Sequence, residues 1–230
     1  MPILNKCKTC GVETAQADIG QEYCPVCDKE IDDSCVYLFR LWLTHSILGT
    51  PEAKILASGL GDANILINPD EAIFLLNILQ ARFDGTPIRM VEIGALEGGT
   101  SLMLQHLNGL IIPFFSQYYL VDCCTEQIDP RVLELPYIQP VLCNTGRAAD
   151  VADALQFIGR PVDVLFIDAC HDYEFVQRDF YSFIGLLKIG GLVIMHDPGK
   201  PGVKRFIDEL KEIHSDKIKI ENGFCVIDWH

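Results

Sequence analysis

The chain has 230 residues, 49% hydrophobic and 22% charged, a globular composition with length enough for one α/β domain and a small appendage. Its formal net charge of -14 repels phosphate backbones and anionic lipid, which argues against nucleic acid or a membrane surface as a partner. The N-terminus is polar by residue 5, and the longest apolar stretch, Leu186–Met195, contains Lys188 and paired glycines, so a cytoplasmic chain with reduced thiols is expected.

Residues 1–32 have a character of their own. Cys7 and Cys10, then thirteen residues, then Cys24 and Cys27, give two CxxC turns in a polar segment. Each turn can present two thiolates to one ion, and together they complete a tetrahedral four-sulfur shell, so a zinc-ribbon-like knuckle is expected here. Such a closed shell leaves no position for substrate, and the Zn²⁺ is therefore read as structural; an iron site or a redox pair is the alternative. With so little apolar content, the segment needs its ion to fold.

Residues 33–87 read as a helical cap or linker. Val36–Ile47 is apolar on most faces, and Pro69–Phe83 opens with Asn68 as N-cap and Pro69 at the first helical position. Between them, residues 49–67 form a loop or a short helix bounded by glycines.

From residue 88 the pattern becomes regular. Short β-rich runs (Ile88–Gly94, Tyr118–Asp122, Gln139–Cys143, Val162–Asp168 and Gly191–Asp197) alternate with helical stretches near 99–108, 148–158, 174–187 and 203–214. Near-continuous apolar strands such as VDVLFIDA belong to a parallel sheet buried on both faces. The alternation implies right-handed crossovers and a Rossmann-like, doubly wound α/β sheet over residues 88–230. Two last strands, Lys217–Glu221 and Phe224–Trp229, meet at Asn222-Gly223, a hairpin signal.

The run MVEIGALEGGTSLML is strand, glycine turn and helix. Gly94 lets the chain leave the strand tightly, and Gly98 and Gly99 let a ligand approach backbone at a helix N-terminus. Leu96 stands where a dinucleotide fingerprint has its second glycine, which argues against a pyrophosphate cradle. Asp122, Asp168 and Asp197 each end a strand at the carboxyl edge where such sheets bind ligands; each alone is as well read as a helix cap or turn residue.

These segments resemble the class I S-adenosylmethionine-dependent methyltransferases, the small O-methyltransferases and the cephalosporin-biosynthesis methyltransferase-like group above all. Val91–Ser101 is similar to their first motif, and Asp163–Asp197, DVLFIDACHDYEFVQRDFYSFIGLLKIGGLVIMHD, to a later one, through Asp163, Asp168, His171, Tyr173, Asp179, Gly190, Gly191, His196 and Asp197. The resemblance implies a sheet of order 3-2-1-4-5-7-6 with its seventh strand antiparallel. It implies S-adenosylmethionine held by Glu92, Gly94, Ala95, Gly98, Gly99, Thr100 and Ser101, with Asp122 on the ribose hydroxyls and Asp168 nearby. Asp168, His196 and Asp197 would offer a site for Mg²⁺ that acidifies an acceptor hydroxyl, and His171 would be the general base, since an unperturbed imidazole titrates near neutrality. The chain departs from the pattern at Ala169 and Cys170, and at Gly146-Arg147-Ala148, where the family often has an acid for the adenine; Asn144 or Thr145 are the substitutes.

The function implied is methylation of a small-molecule hydroxyl. Two other readings stay open: a degenerate methyltransferase fold that binds a partner through its knuckle without turnover, and a protein methyltransferase. Homo-oligomerisation is left open.

Overall fold

The computed structural model describes residues 4–6, 13–15, 67, 69–83, 86–110, 115–159 and 161–229. The chain divides into two compact units, Met1–Pro69 and Asp70–His230. In the first, β1 (Leu4–Lys6) pairs antiparallel with β2 (Glu13–Ala15), Leu4 opposite Ala15. The four CxxC cysteines, the segment Val36–Ile47, residues 49–66 and the Asn68 cap lie outside the described residues.

The second unit is built on β3 (Ile88–Ile93), β4 (Phe115–Asp122), β5 (Ile138–Leu142), β6 (Val162–Ile167), β7 (Leu187–His196), β8 (Ile218–Glu221) and β9 (Phe224–Trp229). They form one sheet in the order β5-β4-β3-β6-β7-β9-β8. Counted within the sheet, this is 3-2-1-4-5-7-6. Every pairing from β5 to β7 is parallel, and β9 runs antiparallel to both neighbours. The order reverses at β3, so the carboxyl ends of β3, β4 and β6 share one crevice, the place where such sheets bind ligands.

Six helices accompany the strands: α1 (Pro69–Phe83), α2 (Gly99–Leu110), α3 (Pro130–Leu133), α4 (Ala148–Ile158), α5 (Tyr173–Phe183) and α6 (Pro201–His214). Strand alternation divides the core. Val91, Ile93, Tyr119, Val121, Leu165 and Ile167 face a cluster completed by Phe180, Phe183 and Phe206 from α5 and α6. On the opposite face α1 meets the sheet, where Phe74 stacks on Phe224 with ring centroids 6.1 Å apart. Of the aromatics in FVQRDFYSF, Phe180 and Phe183 are buried, while Phe175 and Tyr181 are exposed. An arginine one turn on, Arg178, lies over the Phe175 ring at 4.4 Å.

Two boundaries differ from the sequence reading. α5 stops at Phe183 and β7 already begins at Leu187, because the register against β6 slips between Val162 and Val164 and accommodates the Gly190-Gly191 pair inside the strand. The short α3, capped by Asp129 accepting from Arg131 N–H at 2.8 Å, carries too few residues to show helical periodicity.

Candidate active site

The glycine turn leaves β3 at Gly94, whose φ is +93° and whose N–H donates to Val121 O at 2.9 Å. A Cβ at Gly94 would overlap the Asp168 carbonyl oxygen and Ala169 Cα, so the close approach of the β3 and β6 ends requires glycine. The next two amides, of Ala95 and Leu96, both donate to Asp122 Oδ2, at 2.9 and 3.1 Å. Asp122 Oδ1 accepts a third backbone bond from Cys124 N–H at 2.9 Å. Leu96 is thereby held at φ +48°, a left-handed conformation uncommon for a bulky residue, with its side chain exposed. The carboxylate that the family resemblance assigns to ribose is, in this structure, the clasp of the turn.

Gly98 faces Val132 of α3, whose methyl carbon would lie 3.0 Å from a Cβ placed there. Its bare side is filled by protein and not left open to a ligand. Thr100 and Ser101, in the first turn of α2, are buried. Glu92 is also buried, 1% exposed. Its Oε2 accepts from Ser101 Oγ at 2.5 Å and from Tyr118 Oη at 2.7 Å. Burial pushes the Glu92 carboxyl up to about 8 against the opposing effect of those two bonds, and the carboxylates of Asp168 and Asp122 push the same way as burial.

The second half of the site lies at the ends of β6 and β7. His196 is 8% exposed, with Nδ1 3.0 Å from Asp168 Oδ1 and Nε2 3.4 Å from Glu71 Oε2. Burial pulls the His196 imidazole down, but hydrogen bonding and charge from Asp168 and Glu71 outweigh it and hold the ring at about 10. The ring thus lies between two carboxylates that favour its protonated form. Asp197 adopts φ +53°, donates its N–H to Gly223 O at 3.0 Å, and lies 3.3 Å through Oδ2 from His171 Nε2. Both members of this second pair are about one-third exposed. Ile167, Ala169, Cys170, Val176, Met195 and Val203 line, with Asp168, His171 and His196, a small recess open to solvent.

The carboxyl edge therefore brings together Glu92, Gly94, Asp122, Asp168, His171, His196 and Asp197. It does not present Asp168, His196 and Asp197 as a cation site. His196 has Nδ1 at 3.0 Å from Asp168 and Nε2 at 3.4 Å from Glu71, and Asp197 is turned to His171. Among the described residues no group of three or more His, Cys, Asp or Glu is arranged to hold a metal ion.

Glu71 is the residue the sequence reading missed. It lies in the first turn of α1, a segment read only as cap or linker, and a single acid near a helix N-terminus is ordinary. On the adenine side, Asn144 Oδ1 accepts from Gly146 N–H at 2.9 Å, Thr145 hydrogen-bonds Asp179, and Arg147 is an exposed N-cap of α4 with no side-chain bond to the helix. Cys143 and Cys225 are buried as expected of cysteines on strands, whereas Cys123 and Cys170 are exposed.

Residues 91–198 match the family model described as a methyltransferase domain. Solved structures share the fold at low sequence identity. The MycE methyltransferase of the mycinamycin biosynthetic pathway, in complex with Mg and SAH, superposes with a TM-score of 0.54 at 16% identity, over 78% of this chain and 55% of that one. The O-methyltransferase from Bacillus cereus in complex with SAH gives 0.52 at 15% identity, over 86% and 100%. CalS11, a TDP-rhamnose 3'-O-methyltransferase of calicheamicin biosynthesis, gives 0.56 at 13% identity, over 88% and 96%. This chain spans about half the length of MycE. A search of curated protein sequences finds no match.

A seven-stranded sheet of this order is the Rossmann-like methyltransferase fold. Residues 91–198 match a methyltransferase domain, and the fold is shared with solved S-adenosylmethionine-dependent O-methyltransferases.

Proposed function

We propose that this protein transfers the methyl group of S-adenosylmethionine to a hydroxyl of a small molecule. The observation that carries this reading is the pairing of the glycine turn with a second, solvent-reached pair, His171 and Asp197, across the same sheet edge. Methyl transfer from a sulfonium is an in-line displacement with an already activated donor. The protein's tasks are to hold the donor, align the acceptor oxygen and take up its proton.

In this reading the turn from Gly94 to Ser101 and the Asp122 carboxylate hold the donor. Oδ1 of Asp122 retains acceptor capacity beyond its bond to Cys124 and serves the ribose. His171 takes the hydroxyl proton, and Asp197, through its contact with Nε2, orients the ring and balances the imidazolium. Asp168, held by His196, fixes the far wall of the recess. Asp168 pairs with His196 and Asp197 with His171, and the proton step is assigned to His171.

Residues 88–230 make the methyltransferase domain, 33–87 cap the acceptor pocket and 1–32 hold one structural zinc ion through Cys7, Cys10, Cys24 and Cys27. MycE has been described with mycinamycin VI, and CalS11 acts on TDP-rhamnose, both small hydroxylated molecules, which favours an acceptor of that kind over a protein.

Calorimetric titration with S-adenosylmethionine and S-adenosylhomocysteine tests the donor site directly; heat from neither rules the reading out. Against a panel of hydroxylated acceptors, His171→Ala should lower kcat by about 10²–10⁴-fold with donor affinity nearly unchanged, as expected for loss of a general base. Unaltered turnover would remove His171 from the mechanism.

A further inference from the structure

Glu92 is an odd residue for a strand buried on both faces. It sits between Val91 and Ile93, is sealed from solvent, and ends two residues before the glycine turn. No cation faces it. From α2 it meets the Ser101 hydroxyl, from β4 the Tyr118 hydroxyl, and the charged groups acting on it are the carboxylates of Asp122 at the end of β4 and Asp168 at the end of β6. Two hydroxyl donors on one oxygen suit a carboxylate; burial beside two other acids suits a carboxylic acid. The group is balanced between its two forms, and what tips the balance is whatever lies among the three acids.

We propose that Glu92 carries a proton while the crevice is empty and releases it to solvent when a donor bearing a net positive charge occupies the glycine turn, so that the site distinguishes the sulfonium donor from its neutral thioether product. The inference rests on the donor-binding reading above. A sulfonium seated among Asp122, Asp168 and Glu92 offsets the mutual repulsion of the three, and Glu92 ionises because it is the one stripped of water. Methyl transfer moves the positive charge off the donor. The thioether then lies beside a buried anion without a counterion, a proton returns from solvent to Glu92, and the product leaves a neutralised crevice. No covalent bond to Glu92 forms or breaks other than to that proton. Glu92 acts as a positioning residue for charge, without contact with the reacting atoms.

Burial at about 8 leaves the carboxyl mostly protonated at neutral pH, so the linked proton is measurable. The test is titration of the intact chain with S-adenosylmethionine and with S-adenosylhomocysteine in phosphate and in Tris, buffers whose ionisation heats differ widely. At about pH 7.5, about half a proton or more should be released per sulfonium bound and almost none per thioether. The donor's own amine does not mimic this, since carboxylates nearby make an amine take up a proton and not release one. Between about pH 6 and 8 the affinity ratio of donor to product should rise by about tenfold or more.

Glu92→Gln should abolish the buffer difference and flatten the ratio. Tyr118→Phe, which removes one bond to the ionised form, should move the release to higher pH, a readout that a purely structural role leaves still. Sulfonium binding with equal heats in both buffers overturns the inference and leaves the donor site standing. Proton release that persists in Glu92→Gln also overturns it, by locating the proton elsewhere. Binding of neither molecule removes the donor site and this inference together.

Discussion

Asp122 shows how much a single carboxylate can hold. Its three backbone bonds reach Ala95, Leu96 and Cys124, and they fix a leucine in a left-handed conformation that costs of order 1 kcal/mol or more. Asp122→Ala leaves three amides without their acceptor, so it should destabilise the chain by about 1–3 kcal/mol in denaturant unfolding. It should also weaken S-adenosylmethionine binding by more than tenfold, roughly the loss of a charge-assisted bond plus the turn's preorganisation. A donor affinity unchanged in a folded Asp122→Ala protein would confine this residue to the turn. Glu92 makes a different prediction, one of stability. Its carboxyl is raised in the fold from 4.5 to about 8, so the folded state binds the extra proton. Its contribution is fully present below about 4.5, falls as pH rises from there, and is lost once pH passes about 8. Compared across that window, wild type should lose ground to Glu92→Gln by at most about 1.4 kcal/mol per pH unit, with no further change above it. Parallel stability curves for the two proteins would contradict a protonated Glu92.

Elements tell which of these relations were legible in the sequence. The strands and the doubly wound class were, because apolar runs ended by acids alternate with helical stretches, and Asn222-Gly223 announced the closing hairpin; the strand order came from the family resemblance. The glycine turn and the acids at the strand ends were legible as positions. Their partners were not. That Asp122 would clasp Ala95 and Leu96, or that Gly98 would be covered by Val132, depends on the path of a four-residue helix too short to leave a periodic signal. The contact of Glu71 with His196 joins residues 125 apart, 196 against 71, across α1 and β7, and is a tertiary fact with no local trace. Gly223 belongs to the same relation. A side chain there, at φ +79°, would overlap Glu71 Oε1 and press α1 away from the hairpin. Gly223→Ala should therefore destabilise by about 1–3 kcal/mol and loosen the Glu71–His196 pair. The histidine C2-proton resonance of His196 reports the second effect, and a Gly223→Ala protein with an unmoved resonance would uncouple the turn from the pair.

At the scale of the whole chain, the question is whether the two compact units, Met1–Pro69 and Asp70–His230, serve one reaction. Every residue proposed to hold the donor, from Gly94 to Asp122, lies in the second unit. The first carries the four cysteines and the stretch proposed to cap the acceptor. A polar segment of about 30 residues buries too little apolar surface to order itself without a metal. Replacing Cys7 and Cys10 by serine removes two of the four thiolates proposed to hold zinc and should reduce bound zinc from about one per chain to none. If the zinc unit only shapes the acceptor side, the variant should bind S-adenosylmethionine within about threefold of wild type, while KM for the acceptor rises by tenfold or more, because remote binding energy is lost without touching the donor. Elemental analysis, calorimetry and steady-state kinetics on one preparation separate the cases. Equal loss of donor affinity would mean that the first unit supports the glycine turn itself, and unchanged kinetics with the zinc gone would detach the knuckle from methyl transfer and leave it a role in recruitment.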